Sequence, residues 1–251
     1  MKYSVCVDAL FWGLDFIEAM KTVKECGIDS IEFWGWDSKD IGTICKAKDA
    51  LGMKIIGCCT KEFNLVDPEK RSAYIDGLSA SISVANKLGA SCLITQVGDD
   101  TGAPRSEQKQ SIIDGLRSCV PILKETGITL LVEPLNTLVD HKGYFLSSSE
   151  EAFDIIKAVG SDHVKVLFDI YHQQITEGNL INNIKENIKL IGHFHAAGNP
   201  GRNELNKGEI NYQNIFAEIQ KLEYDGYAGL EFFPTADAKE AIKASCHSTT
   251  P

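Results

Sequence analysis

The sequence predicts an α/β fold, a single (β/α)₈ barrel spanning residues 1–251. Three observations predict it. Short β-rich runs alternate with longer amphipathic stretches from one end to the other, the pattern of repeated βα units on a parallel sheet. Glycines stand just past the amphipathic stretches, and polar residues end the later apolar runs. The length of 251 residues also matches one barrel of this kind, about 250 residues.

In chain order, the strand candidates are Tyr3 to Val7, Ser30 to Phe33, Lys54 to Cys58, Ser91 to Gln96, Thr129 to Glu133, Val164 to Asp169, Leu190 to His195 and Ala228 to Glu231. They recur about every 30 residues, the size of a strand–helix unit. Helices are expected over Phe16 to Cys26, Ala73 to Leu88, Glu107 to Thr126 and Ser149 to Val159, stopped by Gly27, Gly89, Gly127 and Gly160. The form helix, glycine, short link, strand gives tight turns at one end of the barrel and leaves the other end for function. Gly198 to Asn211, rich in turn formers, is the longest irregular segment and follows the seventh strand. Apolar periodicity lapses after Ile242, so the tail is expected to fray from about 245.

Hydrophobic residues at 43% and charged residues at 24% are ordinary for a folded globular chain. The net charge of −10, with no basic block, argues against a nucleic-acid partner. No apolar run approaches the roughly 18 residues of a membrane span, and no apolar signal core follows Met1. The eight cysteines form no CxxC pair and read as reduced thiols, so a cytoplasmic location is expected.

Glu133, Asp169, His195 and Glu231 each end an apolar run, and strand ends converge on one face of a barrel. Pro134 prevents regular continuation of the strand before Glu133. Three carboxylates and one imidazole form an oxygen-rich site suited to one Mg²⁺ or Mn²⁺, with Zn²⁺ or Co²⁺ as substitutes. His193, two residues before His195, shares its face and reads as a core histidine. His172 lies one helical turn beyond Asp169 and is expected to contact substrate. Arg202, in the long loop, offers a fork of donors to a substrate hydroxyl or carboxylate; salt bridges to Glu204 or Glu209 are its alternative. Further candidates are Glu32, Lys61, Gln96, the Cys58–Cys59 pair, and an aromatic wall of Trp12, Phe33, Trp34 and Trp36.

Several stretches carry a resemblance: Val132-Glu133-Pro134-Leu135-Asn136-Thr137, Gly143-Tyr144-Phe145-Leu146, and Phe168 to Ile175 with its Asp169-Ile170-Tyr171-His172 core. Gly192-His193-Phe194-His195, Pro200 to Glu204, Gly208 to Tyr212 and Gly226 to Glu231 extend it. On these the chain resembles the xylose-isomerase-like barrel family, which includes hydroxypyruvate isomerases, ketose 3-epimerases and endonuclease IV-like enzymes. The hydroxypyruvate isomerases are nearest. The resemblance implies that Glu133, Asp169, His195 and Glu231 bind one divalent metal and that Glu133 and Glu231 are also the acid/base pair. The implied activity is a metal-dependent isomerisation of a small sugar or hydroxy-keto acid by proton transfer through a cis-enediolate. A ketose 3-epimerase is the alternative, and histidine at 195 is the epimerase residue. A lyase of the inosose dehydratase type and an endonuclease IV-like phosphodiesterase rank lower. The glycine- and arginine-rich loop of hydroxypyruvate isomerases is replaced by Val66 to Arg71. A homo-oligomer is left open.

Overall fold

The computed structural model describes residues 1–247. Eight parallel strands close into a barrel in sequence order: β1 (Lys2–Cys6), β2 (Ser30–Phe33), β3 (Lys54–Cys59), β4 (Cys92–Thr95), β5 (Thr129–Val132), β6 (Val164–Asp169), β7 (Ile191–Ala196) and β8 (Tyr227–Leu230). β8 pairs with β1 from Lys2 opposite Tyr227 to Val5 opposite Leu230, which closes the ring and removes every sheet edge. All eight expected strands are present, with ends shifted by a residue or two.

The helices are α1 (Val7–Leu10), α2 (Phe16–Glu25), α3 (Ile41–Leu51), α4 (Arg71–Leu88), α5 (Arg105–Thr126), α6 (Ser149–Val159), α7 (Ile170–Thr176), α8 (Leu180–Asn187), α9 (Tyr212–Lys221) and α10 (Ala238–His247). Gly89, Gly127 and Gly160 take left-handed conformations at the ends of α4, α5 and α6, where a side chain would be strained. At the other end of the helices, Asp15, Asp40 and Ser148 cap α2, α3 and α6 by accepting backbone N–H groups. The expected fraying near 245 is partly displaced: α10 continues to His247, and Ile242 and Ser245 are buried. Residues 248–251 of the expected tail lie outside the described residues.

Apolar packing falls into two bodies. The larger fills the space between strands and helices, with Phe33, Leu78, Leu88, Phe168, Phe194 and Ile242 among its buried members. A smaller one, Ile56, Cys92, Ile94, Leu131 and Leu167, plugs the inside of the barrel along β3 to β6. The opposite side of the interior is polar, with Ser4, Glu32 and His193 all buried there. No helix is long and apolar enough to cross a membrane among the described residues.

Candidate active site

Side chains two residues apart on a strand point the same way, so each inward residue is followed by another one layer nearer the C-terminal rim. Leu131 and Leu167 belong to the apolar plug, and the layer above them carries Glu133 and Asp169. His193 and Gly229 are likewise followed by His195 and Glu231. The chain therefore changes from apolar to acidic within one layer. Glu133, Asp169, His195 and Glu231 are all buried, and each offers a ligand atom within 4.8 Å of the others. The main chain holds two of them rigidly: Glu133 N–H donates to Thr95 O and Glu231 N–H to Ala196 O, each at 3.1 Å.

His195 is the centre of the group. Its Nδ1 lies 3.2 Å from Glu231 Oε2 and 3.5 Å from Glu133 Oε1, while its Nε2 lies 2.7 Å from Glu32 Oε1. A carboxylate that close requires the proton on Nε2. Neither ring nitrogen has an aligned hydrogen-bond partner among the described residues. Burial alone would lower the pKa of His195, but Glu231 and Glu32 against it hold it well above the usual value. The carboxylates around the ring thus favour positive charge at this point, which a bound cation would supply in place of a proton on Nδ1. Glu32 also accepts from Ser4 Oγ at 2.9 Å and contacts His193 Nε2 at 2.8 Å, which gives His193 the partner expected of a core histidine. Register places Gly229 beside His195, and a Cβ there would collide with Glu32 and lie 2.8 Å from His195 Cδ2.

Asp169 divides its two oxygens between fold and site. Oδ1 caps α7 by accepting the N–H groups of Tyr171 at 2.8 Å and His172 at 3.3 Å. Oδ2 faces His172 Nε2 and Arg202, both at 3.5 Å. Burial raises the pKa of Asp169, Arg202 offsets part of that, and the charge of Glu231 adds to it.

Glu231 is held harder. Trp34 Nε1–H donates to its Oε1 at 2.6 Å, and Arg202 Nη2 pairs with its Oε2. Burial would raise its pKa, yet His195 and Arg202 hold it well below the usual carboxylate range. Gln96, one of the further candidates, donates from Nε2 to Glu133 Oε2 at 3.1 Å.

Arg202 is thus committed to Glu231 and Asp169 and not to its sequence neighbours. Glu204 instead accepts from Thr235, and Glu209 from Asn199. The Arg202 guanidinium also stacks over Tyr171, 5.1 Å from the ring centre. Burial, then the charge of Arg202, pushes the His172 pKa down to about 3, so that ring is neutral.

A cavity of about 930 Å³ opens above the group, with Glu133, His172, His195, Arg202 and Glu231 on its floor and walls. Trp34, Trp36, Cys59 and Lys61 line it as well. The rest of the expected aromatic wall is elsewhere. Phe33 is buried edge-to-face against Phe16, and Trp12 is 74% exposed, touching the cavity only through Trp34 at a ring separation of 5.9 Å. Cys58 is buried off the cavity. Sequence reasoning missed the aromatic contributions of Phe63 and Phe233, which lie in loops without periodicity.

The donor set tests whether a cation fits. Three carboxylates and one imidazole converge, and a buried His195 Nδ1 without a hydrogen bond faces two of the carboxylates. Hard-oxygen donors with one nitrogen fit a divalent metal ion.

The hydroxypyruvate isomerase of Escherichia coli (strain K12) is 28% identical to the chain over 260 residues, 97% of each protein. The 2-oxo-tetronate isomerase of Cupriavidus necator is 39% identical over 140 residues, 56% of this chain and 54% of that protein. The D-psicose 3-epimerase of Clostridium cellulolyticum H10, solved with D-tagatose, superposes over the full length of both chains with a TM-score of 0.82 at 18% identity, a likeness of fold. The profile of the xylose isomerase-like TIM barrel family matches residues 20–247, and the chain belongs to that family.

Proposed function

We propose that the protein is a divalent-metal-dependent isomerase of a short hydroxy-keto acid, with Glu133 and Glu231 as its proton-transfer pair. The observation that carries this reading is the convergence of Glu133 from the end of β5 and Glu231 from the end of β8 on the same nitrogen of His195, at the floor of one cavity. Similarity to the E. coli hydroxypyruvate isomerase along the whole chain supports it.

Glu133, Asp169, His195 and Glu231 would hold the cation, Mg²⁺ or Mn²⁺ by the preponderance of carboxylate oxygens. When bound, such an ion polarises a carbonyl and its neighbouring hydroxyl and lowers the barrier to proton loss beside them. The rest of the work falls to side chains. One glutamate takes the proton from the carbon bearing the hydroxyl, and the other supplies or shuttles a proton to the adjoining carbon. For hydroxypyruvate the proton leaves C3 and one returns at C2, with the hydroxyl proton moving between oxygens. Gln96 and Trp34 hold the two carboxylates in place. His172 and Arg202 bind and orient the substrate, and the Trp34, Trp36 and Phe233 side of the cavity limits water.

A ketose 3-epimerase is the second reading, in which the proton returns to the same carbon from the other face. A cavity of about 930 Å³, roomy for a three-carbon acid, favours it. The eight free thiols fit work in the cytoplasm, and the described residues form one domain in this reading. Exposed Trp12, Leu14, Leu138 and Val139 fit association with a second copy. The net charge of −10 speaks for a small-molecule substrate over nucleic acid.

Deuterium uptake from D₂O tests the assignment, with Mn²⁺ and a panel of hydroxypyruvate, 2-oxotetronates, tagatose, fructose and inosose. Label at C2 of the product from hydroxypyruvate or a 2-oxotetronate is expected. Label at C3 of a ketose makes the enzyme an epimerase, loss of water makes it a lyase, and no exchange in any compound overturns both isomerase readings.

A further inference from the structure

Asn136 is fully buried although it carries a primary amide, and its polar groups are all engaged. Its Oδ1 accepts the backbone N–H groups of Val139 at 3.0 Å and Asp140 at 3.2 Å. That pair fixes which end of the amide is oxygen, because a flipped amide would set N–H against N–H. The amide nitrogen Nδ2 is consequently the atom that lies 2.7 Å from Asp140 Oδ2 and 2.7 Å from His172 Nδ1. The backbone N–H of Asn136 points at the same His172 nitrogen from 3.3 Å.

A backbone N–H can only donate, so His172 Nδ1 must accept. A proton on Nδ1 would face two donors at once. The neutral ring therefore carries its single proton on Nε2. That nitrogen is buried, has no hydrogen-bond partner among the described residues, and belongs to a side chain that lines the cavity. Its nearest acidic neighbour is Asp169 Oδ2, at 3.5 Å.

We propose that Asn136 is a positioning residue that locks His172 in the Nε2–H tautomer, so that His172 meets the substrate as a fixed hydrogen-bond donor to an oxygen atom and never as a proton acceptor. The substrate atom it takes is a carbonyl, hydroxyl or enediolate oxygen; this rests on the reading of the cavity as an isomerase site. Proton abstraction is left to the glutamates. The lock is braced from behind: Asp140 Oδ2, which holds the Asn136 amide, also accepts from Tyr171 OH at 2.9 Å, and the Tyr171 ring packs edge-on against His172 at 5.2 Å. The Asn136 amide cannot rotate without breaking this arrangement.

The test is nitrogen NMR on Mg²⁺-loaded protein with ¹⁵N-labelled histidine, which reads the protonation of each ring nitrogen without turnover. His172 is expected to show a protonated Nε2 and a bare Nδ1 throughout the neutral pH range. Asn136→Asp puts an acceptor against Nδ1; the proton should appear there, with kcat/KM on the substrate lowered on the order of 10²-fold and Mg²⁺ affinity unchanged. If that variant fails to fold, His172→Gln and His172→Phe decide, because only the glutamine amide can donate from a similar place. His172→Gln is expected to retain at least ~10-fold more kcat/KM than His172→Phe. A proton on Nδ1 in the wild type, or equal losses in those two variants, overturns the proposal. Since the spectrum needs no substrate, its result stands apart from whether the isomerase assignment holds.

Discussion

Glu32 Oε1 lies 2.7 Å from Nε2 of His195, on the edge of the ring opposite the nitrogen that faces Glu133 and Glu231. The buried carboxylate therefore dictates which histidine nitrogen is free for the cavity. A carboxylate behind a ligating imidazole fixes its tautomer and orientation and raises its basicity. Glu32→Gln is expected to weaken divalent-metal affinity by about 10–100-fold while the barrel remains folded. Calorimetric titration of chelator-stripped protein with Mn²⁺ measures it, and an unchanged Kd would refute the orienting role.

Glu133→Gln and Glu231→Gln keep an oxygen at each position but cannot accept a proton. Each is expected to cut kcat by roughly 10²–10⁴-fold with the circular dichroism spectrum unchanged. Asp169→Ala removes a donor and should abolish tight metal binding. If either glutamine variant turned over at the wild-type rate, the two-carboxylate scheme would be wrong even with the metal site intact.

Gly229→Ala tests how tightly the interior is built. The new methyl group would strike Glu32 and crowd His195 Cδ2 at 2.8 Å, with rigid strand backbone on both sides. A loss of about 1–3 kcal/mol in unfolding free energy is expected, the usual cost of overpacking. Metal affinity should fall with it. A variant as stable as wild type in urea would mean that Glu32 can swing away freely.

Arg202→Ala removes the cation that pairs with Glu231 and Asp169. Leaving buried carboxylates without their partner costs about 3–5 kcal/mol of stability, and the effect on catalysis should spread over kcat and KM. Mn²⁺ should restore much of the stability, because a bound cation supplies the missing charge. No difference in melting temperature between stripped and Mn²⁺-loaded variant would contradict this.

Burial pushes the thiols of Cys58 and Cys119 up to about 12 from the ordinary thiol value of 9.0. Between about pH 9 and 12 the unfolded chain loses these protons while the native state keeps them. The native state then binds more protons, so stability falls as pH rises, by up to ~1.4 kcal/mol per pH unit for each thiol. Cys119→Ala should flatten the alkaline limb of a stability–pH curve. A thiol reagent should leave Cys6, Cys58, Cys92 and Cys119, all buried, unmodified until the protein unfolds.

What the sequence made legible was whatever has a local signature. The strands show as apolar runs, α4, α5 and α6 are closed by left-handed glycines, and Glu133, Asp169, His195 and Glu231 stand where the runs end. Helix α3 was harder to see because Ile44 is its one fully buried residue, and Ile41, Cys45 and Leu51, only partly buried, pack beside it among lysines and an aspartate. The role of Glu32 was out of reach for a different reason. Its partners His193 and His195 are on the far side of the chain, and only barrel closure, β8 against β1, brings β2 near β7. Arg202 shows the same limit: sequence offers Glu204 and Glu209 as neighbours, and the fold gives it Glu231 and Asp169 instead.

The four converging residues come from the ends of β5 to β8, within positions 133–231, whereas Trp34, Trp36, Lys61 and Phe63 on the cavity wall come from the loops after β2 and β3. The candidate metal-binding residues and one wall of the cavity are therefore encoded in separate stretches of the gene, while His172, Arg202 and Phe233 contribute to the cavity from the later part. Substitutions at Trp36, Lys61 and Phe63 can reshape what is admitted without touching the proposed proton-transfer pair, whereas Trp34 is tied to Glu231 by its indole N–H. Such a division lets a lineage change its diet while retaining its chemistry, and it makes a chimera exchanging residues 36–39 and 60–67, with Trp34 kept, the natural route to a new specificity.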